Sequence, residues 1–187
     1  VREALRESNP FRREWAGAIK AHFASLYRKG VFVRVEKGKE GSAEVLPCMW
    51  IFTIKPDKFK ARLCIVGSRS KVRKDLQRSS PTPRCSMWKL VFAIGVKLGY
   101  KVYHLDLSAG FCHTVPKRQV AIRMPDGLKE DDPDGRLLVV KNLFGMPEAP
   151  HDLYVLVANY MTTYGLEQSP FDPCIYVRSK EKRNSWP

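Results

Sequence analysis

The stretch MWIFTIKPDKFKARLCIV, residues 49–66, sets the fold class, because both of its halves read as β-strands. MWIFTIK (49–55) is rich in β-branched and aromatic side chains, and Pro56-Asp57 breaks the run. In FKARLCIV (59–66), Phe59, Ala61, Leu63 and Ile65 alternate with Lys60, Arg62 and Cys64. Successive side chains of a strand point to opposite faces, so Lys60 and Arg62 leave one face together. Such a strand buries one side and presents charge on the other.

Upstream, Asn9 can cap a helix, Pro10 suits its first position, and Trp15, Ile19, Phe23 and Leu26 recur at helical spacing until Gly30. VFVRV (31–35) reads as a strand, followed by a Gly- and Glu-containing turn at 36–44. Downstream, residues 67–86 shift to Ser, Pro, Lys and Arg, which places a boundary between two lobes near 85. Met87, Val91, Ile94 and Leu98 then form a helical stripe ended by Gly99. KVYHLDL (101–107) alternates like a strand, with Val102, His104 and Asp106 on one face. QVAIRM (119–124) and RLLVV (136–140) read as strands around the acidic turn DGLKEDDPDG. A last helix carries Leu153, Val157, Tyr160 or Met161, and Tyr164, closes at Gly165 and precedes the short strand CIYV (174–177). Mixed helices and strands in two lobes predict an α+β or α/β fold.

The 187 residues carry 33 Lys and Arg against 19 Asp and Glu, a net +14 that exceeds what solubility needs and points to a polyanionic partner. With 44% hydrophobic residues the chain can bury a core, which excludes a disordered basic tail. No apolar run approaches the roughly 20 residues of a membrane helix, and no signal peptide opens the chain, which reads as a piece of something longer. Five cysteines without a CxxC pair and four histidines without ligand spacing indicate neither a disulfide framework nor a zinc site. The aromatic residues Trp50 and Trp88 are expected in the core. Basic residues crowd between Lys55 and Lys89, including Lys58, Arg69, Lys71, Arg73, Lys74, Arg78 and Arg84, against Asp57 and Asp75 alone. That density suits phosphate, with the steep salt dependence that counterion release imposes. Asp106 stands apart, at the end of an apolar strand and before the small-residue turn LSAGF. By itself it reads either as a capping residue or, beside an Arg, as a carboxylate for metal-assisted nucleotidyl transfer.

Eight segments in register carry a resemblance: REAL with Trp15 and Ala18-Ile19, then WIFTIK, KFKARLCIVG, SSPT, YHLDLSAGF, VAIRMPDG, KNLFGMPEAP and YGLEQSPFDPCIYV. Together they resemble the reverse transcriptase domain of copia-type LTR retrotransposons. The resemblance implies a right-hand polymerase, α+β, with residues 1–85 as fingers and 86–187 as the N-terminal part of a palm that stops before the family's YVDD hairpin. It implies template-directed addition of deoxynucleotides by a two-metal mechanism, with Mg²⁺, an RNA or DNA template, a DNA primer, deoxynucleoside triphosphates and the rest of the Pol polyprotein as partners. Asp106 matches the first catalytic carboxylate, and the Leu107 carbonyl would join it on the metal. Lys55, Lys60 and Arg62 match positions that hold the triphosphate. Ala109 and Gly110 would bring backbone N–H groups to the phosphates, and Phe111 matches the aromatic residue that excludes a 2′-hydroxyl. The family further implies cytoplasmic virus-like particles and a nuclear product.

Departures accompany the matches. The family's LYGLKQAPRAW stands here as LFGMPEAPHDL, so that Glu148 replaces a Gln expected at the nucleotide, where a carboxylate would repel a triphosphate. Ser70 and Cys112-His113-Thr114 also differ from the usual residues. Without the second carboxylate motif the isolated chain is expected to be an inactive polymerase fragment. The competing expectation is a decayed, non-catalytic nucleic-acid-binding relic.

Overall fold

The computed structural model describes residues 1–71, 77–128 and 134–178. Arg73, Lys74 and Asp75 of the basic stretch, and residues 129–133 of the acidic turn, lie outside them. The Asn9 side chain accepts the Phe11 N–H at 2.9 Å in a turn that precedes helix α1 (Arg12–Arg28), so that the N-cap is Phe11 rather than Asn9 and the first position is Arg12 rather than Pro10; the helix ends at Gly30, whose φ of 63° only glycine adopts freely. Its buried stripe of Trp15, Ile19 and Leu26 packs on the hairpin formed by β3 (Cys48–Lys55) and β4 (Lys58–Ile65). Trp15 meets Phe52 and Phe59 edge-on, with ring centroids 4.9 and 4.7 Å away. The alternation of β4 holds as far as Leu63: Ala61, Leu63 and Ile65 are buried, Lys60 and Arg62 half-exposed, but Cys64 is buried as well.

The second layer is a four-stranded sheet in the order β1 (Phe32–Val35), β6 (Arg136–Val139), β5 (Val120–Arg123), β2 (Glu44–Leu46). β1, β6 and β5 are antiparallel neighbours, whereas β2 joins β5 in parallel, pairing Glu44 with Val120 and Leu46 with Ile122. The sheet thus takes two strands from each side of residue 85. Val120, Ala121 and Ile122 are fully buried because β5 has a neighbour on either side. β2 begins at Glu44, the last residue of the stretch read as a turn, and continues into residues given no element in the sequence. Its three residues are too short to show a period, and only pairing with β5 makes them a strand.

Helix α2 (Cys85–Lys97) and helix α3 (Ala149–Thr163) occur where the stripes predict them, followed by the small hairpin β7 (Glu167–Gln168) and β8 (Tyr176–Val177). The stripe of α2 does not face a core: Val91, Ile94 and Leu98 are roughly half-exposed, and Trp88 is 51% exposed rather than internal. The expected strand at 101–107 is absent too. Leu105 is 92% exposed, and no described strand offers these residues a hydrogen-bonding edge, without which alternation cannot become a ladder. The α2 region is tied down by one carboxylate: Asp172, nearly buried, accepts the Arg84 N–H at 3.0 Å and the Cys174 N–H at 2.9 Å. These two amides hold its pKa below the ordinary carboxylate value.

Candidate nucleotide-binding site

The outward face of the β3–β4 hairpin gathers cations. Pairing sets Lys55 opposite Lys58, and Thr53 and Ile51 opposite Lys60 and Arg62. Lys58 is 3.7 Å from the exposed Asp57, while Lys60 and Arg62 have no carboxylate partner among the described residues. The charge of Arg62 pushes the Lys60 ammonium pKa down, helped by partial desolvation and by Lys55 and Lys58. Behind them on α1, burial lowers the pKa of His22, and the charges of Arg62 and Lys60 lower it further. This is unneutralised positive charge, which an anion would relieve.

Arg62 does find an aromatic partner. Its guanidinium carbon lies 4.5 Å from the ring centroid of Phe144, a cation–π contact. The same ring receives Phe111 edge-on at 4.9 Å and 79°. Phe111 belongs to a 3-10 turn, Gly110–His113, which starts after Ala109 at φ 54° and ψ 44°, a left-handed conformation held by no other non-glycine residue described. A Cβ at Gly110 would lie 3.0 Å from Leu153 of α3, so the small residues of the turn let the backbone approach that helix. The Phe111 carbonyl accepts the Thr114 hydroxyl at 2.8 Å. The structure therefore unites Arg62, Phe111, Gly110 and Ala109 through a residue the sequence did not single out. Lys55 is exposed at the hairpin tip, opposite Lys58 and four residues along the ladder from Arg62.

Asp106 lies elsewhere. It is exposed and lines a cleft of about 630 Å³ together with Leu105, Leu107, His113 and Leu156, Val157, Tyr160 and Met161 of α3. Among the described residues no lysine or arginine lines that cleft, and Asp106 is its one carboxylate. Among the described residues no three His, Cys, Asp or Glu side chains stand close enough to hold a metal ion. The donors present, Asp106 and the Leu107 carbonyl, do not fit the two-ion centre that the resemblance implies, so no chemical step is routed through Mg²⁺ here.

Glu148 is 1% exposed and turned toward Arg118, whose Nε donates to it at 2.8 Å. Arg118 also donates through Nη1 to Glu44. Glu44 in turn accepts the Ser70 hydroxyl at 2.8 Å and the Lys71 N–H at 2.6 Å. Desolvation pushes the Glu44 pKa up, but the Lys71 amide, the Ser70 hydroxyl and Arg118 outweigh it and leave the carboxyl below its usual value. The carboxylate that sequence reasoning sets against a triphosphate thus shares one guanidinium with Glu44. A second buried group lies alongside: Asn142 donates to Asp152 and Thr114, each at 2.9 Å, and Lys117 reaches Asp152 at 3.3 Å. Arg118, Asn142 and Asp152 give no spacing signal in the sequence, because their partners come from distant segments. Phe144 gives a faint one, an aromatic side chain before a glycine.

The profile of the family described as "Reverse transcriptase (RNA-dependent DNA polymerase)" matches residues 31–184. The Retrovirus-related Pol polyprotein from transposon TNT 1-94 of Nicotiana tabacum is 25% identical over 194 aligned positions, 97% of this chain and 14% of that protein. The corresponding polyproteins from transposons RE1 and RE2 of Arabidopsis thaliana are 27% and 26% identical, over 74% and 73% of this chain and 10% of each relative. The chain thus spans about a seventh or less of the curated relatives it matches. No solved structure matches it. With the greater part of its length matched, and the motifs around Arg62, Phe111 and Phe144 inside that match, the chain belongs to the reverse transcriptase family of copia-type retrotransposons.

Proposed function

We propose that this chain is the deoxynucleoside-triphosphate-binding portion of an RNA-directed DNA polymerase, with residues 1–85 fingers-like and 86–187 contributing to the palm. The observation that carries this reading is the cationic face of the β3–β4 hairpin, where Lys60 and Arg62 have no carboxylate partner among the described residues and Arg62 stands one ring away from Phe111. A triphosphate would lie along Lys55, Lys60 and Arg62 with its sugar toward Phe111, and the N–H groups after Ala109 would face the phosphates. Template and primer follow the same positive surface. In the family's setting this takes place in cytoplasmic particles, with the other Pol domains alongside.

Catalysis needs more than the described residues bring to Asp106, whose cleft holds no second carboxylate among them. The isolated chain therefore binds nucleotide and does not polymerise. The relic reading drew its support from Glu148 and the altered motif around it; Glu148 pairs with Arg118, which also serves Glu44, and this weakens the first support while leaving the second. Equilibrium binding of a labelled deoxynucleoside triphosphate tests the proposal. Affinity should fall at least about tenfold in Arg62→Ala, the loss expected when one charge-assisted contact worth some 1.5 kcal/mol or more disappears, and should fall steeply with added salt. Equal affinity in the wild type and Arg62→Ala would refute it. Incorporation of deoxynucleotides by the isolated chain would refute the inactivity.

A further inference from the structure

The geometry points to Phe144 as a positioning residue that fixes the triphosphate-gripping cation and the sugar-facing aromatic in one arrangement. The inference rests on the roles proposed above for Arg62 and Phe111.

Phe144 is half-buried, with Arg62 on its ring at 4.5 Å and the Phe111 ring against it at 4.9 Å. An arginine that emerges from a strand toward solvent has four flexible side-chain torsions, and holding it costs rotamer entropy. Arg62 has no carboxylate among the described residues to hold it in place, so the aromatic face is what restrains it. A ring has the further merit of leaving the positive charge unneutralised. A carboxylate in the same position would orient Arg62 equally well and cancel the attraction for phosphate.

The backbone fixes Phe144 relative to Arg62 with little freedom. The Phe144 carbonyl accepts the Ile65 N–H at 2.8 Å, three residues after Arg62 in the same strand. Gly145, at φ 89°, is pressed so close that a Cβ there would fall on the Ile65 carbonyl, and a Cβ at Gly67 would fall on the Gly145 carbonyl. This glycine-to-glycine seam sets the distance between strand β4 and the 143–147 segment, and hence the height of the ring beneath the guanidinium. Phe111 is the second dependant. Its turn is held by Thr114 and Asn142, but the described ring that its own ring packs against is Phe144. Triphosphate affinity and discrimination against a 2′-hydroxyl are therefore coupled through one side chain.

The test uses the whole chain and binding of dTTP and UTP as probes, with Phe144→Leu, Phe144→Tyr and a series of progressively fluorinated phenylalanines at 144. Leu keeps the apolar volume and removes the quadrupole. It should weaken dTTP binding about tenfold, the value of a partly desolvated cation–π contact, and narrow the dTTP-to-UTP ratio. Phe144→Tyr should restore both. Fluorination, which drains the ring face with little change of shape, should weaken dTTP binding stepwise while the thermal midpoint holds. The Arg62 Nε–H resonance, ring-shifted in the free wild type, should move toward its random-coil position in Phe144→Leu without any ligand. Should Phe144→Leu fail to fold, the fluorinated series decides. Unchanged dTTP affinity across that series, or a folded Phe144→Leu protein with wild-type affinity and ratio while Arg62→Ala loses binding, would overturn the role of Phe144 and leave the nucleotide site standing. Indifference of dTTP binding to Arg62→Ala would instead remove the site itself, and this inference with it.

Discussion

Two segments of similar pattern meet opposite fates in this chain. QVAIRM and KVYHLDL are both short, apolar and rich in β-branched or aromatic residues. The first becomes β5, flanked by β6 and β2, with Val120, Ala121 and Ile122 completely buried. The second forms no ladder and leaves Tyr103 79% and Leu105 92% exposed. The difference lies outside either segment: a strand is a relation between chains of backbone, and apolar alternation states only what a strand would bury once it is paired. The same contrast divides the helices. α1 buries Trp15, Ile19 and Leu26 on the hairpin, whereas α2, more apolar in composition, buries only Gly95.

Substitution at one glycine exaggerates that contrast most. Gly145→Ala in the packed half forces a Cβ onto the Ile65 carbonyl at φ 89° and should cost about 3 kcal/mol or more, read as a collapse of the urea midpoint. A folded Gly145→Ala protein with an unmoved midpoint would mean that the seam is not rigid. Next come the core truncations. Ile122→Ala should lose about 2–5 kcal/mol, while Leu105→Ala should stay within about 0.5 kcal/mol; comparable losses would show that residues 101–107 are packed after all.

A smaller, pH-dependent effect concerns the tether between α2 and the small hairpin. The Asp172 pKa is depressed in the fold by the Arg84 and Cys174 amides. Its contribution is therefore complete above the unfolded carboxylate value of about 4 and is lost as pH falls through the folded value. Amide exchange at Arg84 and Cys174 should accelerate in that acid window, and Asp172→Asn should remove the dependence. His22 gives a reporter in the packed half. Its pKa is depressed by burial and by Arg62 and Lys60, so a triphosphate bound to those cations should raise it, visible in an imidazole proton titration with and without dTTP. The mildest change is Gly95→Ala on α2, where a Cβ meets open space. It should stabilise the helix by about 0.5–1 kcal/mol, seen as a small rise in Tm.

Local rules made much of the fold legible. Gly30 closes α1, Asn9 and Pro10 announce it two residues ahead of its actual start, and the alternation of 59–65 delivers Lys60 and Arg62 to one face, because each signal is settled by neighbours a few residues away. What escaped depends on segments far apart. Glu44 becomes strand and ion-pair partner only because β5 and Arg118 arrive beside it. Phe144 matters because it rests on β4 and beneath Arg62. Glu148 illustrates the same limit from the other side: a charge reads as repulsive in sequence until its counter-ion is located in space. The α2 stripe and residues 101–107 show the converse error, a pattern legible as a buried face without anything here to bury it.

The seam between Ile65 and Phe144 also has a temporal meaning. Its two edges are far apart along the polypeptide, and β1 waits likewise for β6, so closure pays the entropy of a long loop before any contact rewards it. A ribosome delivers the cationic hairpin and α1 first, with their future partners still unsynthesised. During that interval Leu46, Leu63 and Ile65 have only each other and α1 for shelter, and the nascent chain is at its most prone to aggregate until the residues around 144 emerge.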